Sequence, residues 1–331
     1  MAIAPASDPL ISRTSAASAL VSRSMSRLPR LQRAEAAEIP PNRPSQNVAQ
    51  PVNSVATPVR LSEPIAAAPS PAPPLLLAPT TPPSSIRPQS GAQQYQQRWA
   101  ALQLGLTYTR MAADSFHPQW ATATQQPTYE QWVSLLGNEA RAMAAGQGSN
   151  RLSVLVGDSI SQWFPVEQLS RDRFWLNQGI SGDTSAGVLR RLSLFQNTRP
   201  TEIHLMVGIN DLRRGASNAD LLSNLSQIMQ QLRQDHPQAQ ILVYSILPTR
   251  LPALPPERIY DINQNLEAIA RQQKVAYVDL QRFFAEETSG ILRHDLTTDG
   301  IHLSRQGYAL WQWAIGYLTQ PPQAIALDRQ G

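Results

Sequence analysis

Four short blocks of the 331-residue sequence carry residue types suited to acyl chemistry. "GDS" places Ser159 behind a glycine and an aspartate. "NQGISGDTS" follows, with Gly179 near its start, then "GIND", with Asn210. Far downstream stands "TTDGIHLS", with Asp299 and His302. A serine hydroxyl is a poor nucleophile until a base takes its proton, and histidine is the base suited to neutral pH. The imidazole must be held in one tautomer, which a carboxylate on its far nitrogen achieves. Asp299 and His302 stand three residues apart in a turn-forming stretch, so their side chains can meet. A tetrahedral intermediate also needs donors for its oxyanion. The N–H of Ser159, a glycine N–H in an open loop and an asparagine amide all qualify. Each block alone has a plainer explanation. A serine after a strand caps helices, Asn-Asp opens turns, and Asp-Gly makes a β-turn with a surface histidine behind it. Their conjunction, in one order along the chain, points to catalysis.

The elements that would position these residues are legible as apolar periodicity. Strand-like runs stand at "LSVLV", "RFWLN", "IHLMV", "ILVYSIL" and "VAYVDL". Helical patterns lie between them at "TSAGVLRRLSLF", "NADLLSNLSQIMQQLRQDH" and "PERIYDINQNLEAIARQQ". A last helix, "SRQGYALWQWAIGYL", has Ser304 as its expected cap. Strands alternating with helices predict an α/β fold of three layers, α/β/α, around a five-stranded parallel sheet. Right-handed crossovers then put every strand's carboxyl end on one edge, where ligands bind in open α/β sheets. The first three blocks follow the first three strands, and "DGIH" precedes the last helix. Upstream, "QQYQQRWAALQLGLTYTRMA" and "PTYEQWVSLLGNEARAMAAG" read as two lead-in helices, the second with a Thr128/Gln131 capping box and a stop at Gly146.

On these blocks the sequence resembles the SGNH hydrolases, the GDSL-type esterases and lipases. The resemblance covers about residues 150–320 and implies a flavodoxin-like α/β/α fold and carboxylic ester hydrolysis through an acyl-serine. It implies Ser159 as nucleophile, His302 as base and Asp299 as its orienting carboxylate. It further implies an oxyanion hole made by Ser159 N–H, Gly179 N–H and the Asn210 amide. "ILPTR" after the fourth strand is similar to the branch that includes platelet-activating-factor acetylhydrolase. Ile160 stands where leucine is usual, a rearrangement of one methylene. The G-x-S-x-G elbow of ordinary α/β-hydrolases is not met, because Ser161 occupies its last glycine position.

Composition bounds the rest. Residues 1–90 hold 17 of the 28 prolines, with eight arginines against four acids, so the formal net charge of +4 resides there. That stretch is expected to be a disordered tail, followed by lead-in helices over 91–150, the hydrolase domain over 151–320 and a short tail over 321–331. The remainder is charge-balanced, which argues against nucleic acid as a partner. No window supplies the ~18 apolar residues of a membrane helix. No clear signal peptide is seen, and a cytoplasmic location is the resulting expectation. Cysteine is absent, and the five histidines lack metal-ligand spacing, so neither metal nor cofactor is expected. His294-Asp295 is a decoy for the base, lacking an acid three residues earlier. His204, inside a strand run, is expected to be a packed core or interface residue, and Trp163, Trp175, Trp311 and Trp313 are expected in the core. The expected partner is a small-molecule ester. O-acyl transfer by the same residues, or a tail-mediated interaction role, are the alternatives.

Overall fold

In the computed structural model, which describes residues 86–106 and 111–319, the apolar runs become five parallel strands. In chain order the elements are α1 (Gly91–Gln103), α2 (His117–Trp120), α3 (Tyr129–Gly146), β1 (Leu152–Gly157) and α4 (Ser159–Gln162). β2 (Phe174–Gly179), α5 (Ser185–Arg190), β3 (Glu202–Met206), α6 (Ile209–Arg213) and α7 (Asn218–Asp235) follow. β4 (Gln240–Tyr244), α8 (Pro256–Gln272), β5 (Ala276–Val278), α9 (Gln281–Phe284) and α10 (Arg305–Thr319) complete the series. The sheet order is β2-β1-β3-β4-β5, and every pairing is parallel. The chain therefore reverses its direction of winding between β1 and β3. Crevices at such a switch point bind ligands, and Ser159 follows β1.

Alternation along the strands serves both faces. Val154, Val156, Ile203, Leu205, Ile241 and Val243 pack with Val188 of α5, Ile228 of α7 and Ile262 of α8. Leu155, Trp175, Met206, Leu242 and Tyr244 point the other way, toward Ile160, Phe284 and Trp311. A parallel sheet covered on both sides needs such near-continuous apolar strands. Each fully buried branched side chain contributes about 1.5–3 kcal/mol relative to exposure. His204 is buried on β3, as the sequence implies, and its Nδ1 lies 2.9 Å from Tyr244 Oη.

The lead-in helices are fastened to this core. In α3 the Thr128/Gln131 capping box forms, and the helix ends at Gly146. Tyr95 of α1 meets Trp132 of α3 edge to face at 5.3 Å. Arg98 of α1 pairs with Glu139 of α3 (Nε to Oε1, 2.9 Å), and its Nη2 donates to Asn177 O at 2.8 Å. Both partners are buried.

Three expectations change. The helix read at "TSAGVLRRLSLF" breaks at Arg191, where φ is −113° and ψ 7°. There the guanidinium turns inward to meet Gln178 O and Gly157 O, and 3-10 geometry takes over at Leu192–Phe195. The fifth strand is shorter than "VAYVDL", because the Leu280 and Gln281 N–H groups turn to Ser245 Oγ at 3.0 and 2.8 Å. The expected N-terminal tail lies outside the described residues up to position 85, as does the expected tail at 321–331. Residues 86–90 depart from that expectation. Ser90 Oγ accepts from Gln93 N to cap α1, and Arg87 pairs with Glu167 at 2.8 Å. Among the described residues no helix is long and apolar enough to cross a membrane.

Candidate active site

β1 ends at Gly157, and Asp158 caps the short α4, its Oδ1 accepting from Ile160 N at 3.0 Å. This presents Ser159, only 5% exposed, at the carboxyl edge of the sheet. From the far end of the chain His302 reaches it, with Nε2 at 3.0 Å from Ser159 Oγ. His302 Nδ1 lies 2.6 Å from Asp299 Oδ2. The other carboxylate oxygen, Oδ1, accepts from the backbone N–H of His302 (2.8 Å) and of Ile301 (3.0 Å). Asp299 thus fixes both the ring and the turn that carries it. Gly300, at φ +90°, makes that turn possible, and its N–H donates to Thr297 Oγ1. Burial alone would raise the Asp299 carboxyl. The bonds from the His302 ring and from the two N–H groups outweigh burial and hold it below the usual carboxylate range. A hydroxyl, an imidazole and a carboxylate so aligned can move a proton from Oγ to Nε2 while the carboxylate fixes the tautomer.

The opposite side of Ser159 is built from the β2 and β3 loops. Asn210 opens α6 and is 4% exposed. Its Nδ2 donates one hydrogen to Asp183 O at 3.0 Å, which leaves the second N–H for a ligand. The geometry corrects Gly179. Its N–H is already donated to Asn177 Oδ1 at 2.9 Å. A Cβ there would lie 2.3 Å from Gln162 N, so the glycine is required by the close approach of α4. Three residues on, Gly182 stands half-buried in the turn, and among the described residues its N–H donates to no protein acceptor. Its carbonyl accepts from Arg214 Nη2 at 2.7 Å, which fixes the peptide on that side. Both glycines lie in the block "NQGISGDTS". Only the placement of the Asn177 side chain separates the occupied N–H from the open one.

Arg191 ties this side together. Its Nε donates to Asp183 Oδ2 (2.7 Å), its Nη1 to Gln178 O (2.5 Å) and its Nη2 to Gly157 O (2.8 Å). Asp211 anchors the next residues, accepting from Ser185 N and Oγ at 2.8 and 2.5 Å. Neither contact has a local signal in the sequence. Under the serine, Asp158 is wholly buried. Burial, with smaller contributions from Asp183 and Asp211, pushes its carboxyl up to about 7 against the Ile160 N–H and the His302 charge.

A pocket of about 470 Å³ opens beside His302, walled by Trp163, Leu303 and Tyr308 on one side and by Arg87–Gln89 on another. Trp163 is therefore a pocket residue as well as a packing one, half-buried, with Nε1 donating to Ser181 Oγ at 3.2 Å. Trp175 and Trp311 are buried as expected, and Trp313 is half-buried against Phe283. His294 is exposed, and its neighbour Asp295 pairs with Arg293 at 2.7 Å, away from Ser159. A separate cavity of about 340 Å³ lies between Arg151, Arg173 and Ile315, beside the starts of β1 and β2.

Comparison with known proteins agrees with this geometry. The GDSL-like Lipase/Acylhydrolase family matches residues 143–310. Esterase TesA of Pseudomonas aeruginosa is 33% identical over 184 residues, covering 51% of this chain and 87% of that protein. Platelet-activating factor acetylhydrolase IB subunit alpha1 of Pongo abelii is 29% identical over 189 residues, covering 54% of this chain and 78% of the relative. The crystal structure of a GDSL-like lipase from Bacteroides thetaiotaomicron superimposes with a TM-score of 0.50 at 19% identity, over 56% of this chain and 96% of that one. The last likeness concerns the fold. With the sheet order, the matched region and these relatives together, the chain belongs to the GDSL-like lipase/acylhydrolase family and is a carboxylic ester hydrolase.

Proposed function

We propose that Ser159 is the nucleophile of this ester hydrolase, His302 its general base and acid, and Asp299 the carboxylate that orients the imidazole. Ser159 Oγ attacks the ester carbonyl carbon as its proton passes to His302 Nε2. The carbonyl oxygen becomes an oxyanion and takes hydrogen bonds from Ser159 N–H, Gly182 N–H and the free N–H of Asn210 Nδ2. When the tetrahedral intermediate collapses, the ester C–O bond breaks and the alcohol leaves with the proton from Nε2. Water then attacks the acyl-serine as its proton passes to His302 Nε2; the second tetrahedral intermediate collapses, the acyl–Oγ bond breaks with return of that proton to Ser159 Oγ, and the acid is released. The substrate is a small-molecule ester. The observation that carries the reading is the hydroxyl–imidazole–carboxylate line, 3.0 and 2.6 Å long, joining residues 143 positions apart in the chain. Separately buried or surface residues have no reason to align in that way.

Ser159→Ala is expected to lower kcat on a p-nitrophenyl ester by roughly 10⁴–10⁶ and leave the fold intact. A fluorophosphonate probe should label wild type at Ser159 alone. Labelling at Ser161 or Ser185, or undiminished turnover in Ser159→Ala, would overturn the assignment.

A further inference from the structure

We propose that Arg87, Pro88 and Gln89, which lie upstream of the family-matched region, form a specificity-determining wall that restricts the leaving alcohol to a compact, polyhydroxylated group. The inference rests on the reading of Ser159 and His302 given above. His302 Nε2 must hand its proton to the leaving oxygen, so the alcohol has to sit against His302. The 470 Å³ pocket is lined by His302, whose Nε2 is 3.0 Å from Ser159 Oγ, while none of Ser159, Gly182 and Asn210 borders it. It is therefore the alcohol's pocket rather than the oxyanion's.

Its lining indicates the chemistry. Gln89, Glu167, Gln168, Thr298 and Arg305 offer donors and acceptors around it. Trp163 and Tyr308 supply ring surfaces, the Tyr308 hydroxyl being engaged with Ile160 O at 3.0 Å. Hydrogen-bonding groups of both kinds beside aromatic surface suit a polyol, whereas an alkyl chain would leave these polar groups desolvated and unpaired.

The wall sets the size limit. Beyond it lies a second, smaller pocket of about 60 Å³, reaching Gln94, Gln97 and Met111. Both pockets are bordered by Arg87, Pro88, Trp163, Pro165 and Glu167. Arg87 and Pro88, with Trp163, Pro165 and Glu167 opposite, thus stand where the two pockets adjoin, between His302 and Met111. The wall is clasped at one end by the Arg87–Glu167 ion pair. At the other, Gln89 N–H donates to Gln93 Oε1 of α1 at 2.7 Å, and Gln89 Nε2 donates to Arg87 O at 3.1 Å.

The test compares hydrolysis of glyceryl acetate and n-octyl acetate by the full chain, each normalised to methyl acetate. Wild type is expected to favour glyceryl over octyl acetate in kcat/KM. Arg87→Ala and Glu167→Ala, which release the clasp from opposite ends, should each shift that preference toward octyl acetate by about tenfold, mainly through KM. The double variant should shift the preference by less than the product of the two single factors, because the two substitutions share the Arg87–Glu167 contact. Arg87→Lys should restore most of the preference. A wild type that favours octyl acetate would overturn the polyol assignment. An unchanged ratio in both single variants, or one equal factor on all three esters, would overturn the wall. Retained turnover in Ser159→Ala would instead strike the catalytic reading beneath it.

Discussion

On one side of Ser159, Asp183 and Arg191 meet with their side chains 4% and 3% exposed; on the other, Asp299 and His302 meet with theirs 52% and 39% exposed. The first pair is locked among carbonyls of the β1 and β2 ends, where a charge left without its partner is expensive. The second is held by a turn whose own N–H groups bond the carboxylate, so its geometry is local and its exposed charges add little to stability. The difference separates two jobs. The buried side shapes the position of the loops, and a disturbance there is felt by the whole fold. In the proposed mechanism the open side handles the proton, and a disturbance there is felt by the chemistry.

The comparison is broken most severely by Asp299→Asn. The amide can still accept from the turn's N–H groups but holds the imidazole in the wrong tautomer. The kcat is expected to fall by up to roughly 10⁴, with the melting temperature nearly unchanged. A large loss of Tm in this variant would show that the open side also bears structure. Next comes Arg191→Met, which strands the Asp183 carboxylate and two carbonyl groups, Gln178 O and Gly157 O. Unfolding free energy, followed by urea denaturation, should drop by about 3–5 kcal/mol. Arg191→Lys should rescue little of it, since an ammonium cannot span Asp183, Gln178 O and Gly157 O as the planar fork does. Full stability in Arg191→Met would erase the contrast between the two sides.

The smallest effect belongs to Asp158, buried between them. Its carboxyl is pushed up to about 7 by burial, so between about pH 4 and 7 the folded chain binds a proton that the unfolded chain has released. The group therefore lowers stability as pH rises through that window. Asp158→Asn should match wild type near pH 4 and melt a few degrees higher at pH 8, and Tm measured across that range checks it. A constant difference at all pH values would place the effect elsewhere.

The sequence made the five strands legible because each is an apolar run closed by turn residues, and it made "GDS", "GIND" and "DGIH" legible as strand-end blocks in order. Asp299 and His302 could be paired from spacing alone, because their contact spans three residues. What escaped depended on distant contacts. Gly179 and Gly182 are equivalent on paper, and the choice between them is made by the Asn177 side chain. Arg98 and Arg191 look like ordinary helix arginines, and only the fold shows the buried carboxylates and carbonyls that they meet. Arg87 stands in a stretch whose proline content suggests no structure, and its partner Glu167 lies in the 3-10 turn Val166–Gln168 after α4. Trp163 reads as a core residue because large aromatics usually are, whereas the pocket is lined by it.

The 143-residue separation of Ser159 and His302 also has a consequence for the order in which the enzyme is made. Synthesis delivers Ser159, the β2 loop and Asn210 first, and domains begin to consolidate as they emerge. His302, the proposed base, follows 143 residues later, on a turn that forms by itself but faces Ser159 only once α10 has docked through Tyr308 and Trp311. On the catalytic reading given above, a nascent chain that has already formed its sheet is still hydrolytically silent, and activity switches on with the last long-range contact rather than growing with the fold.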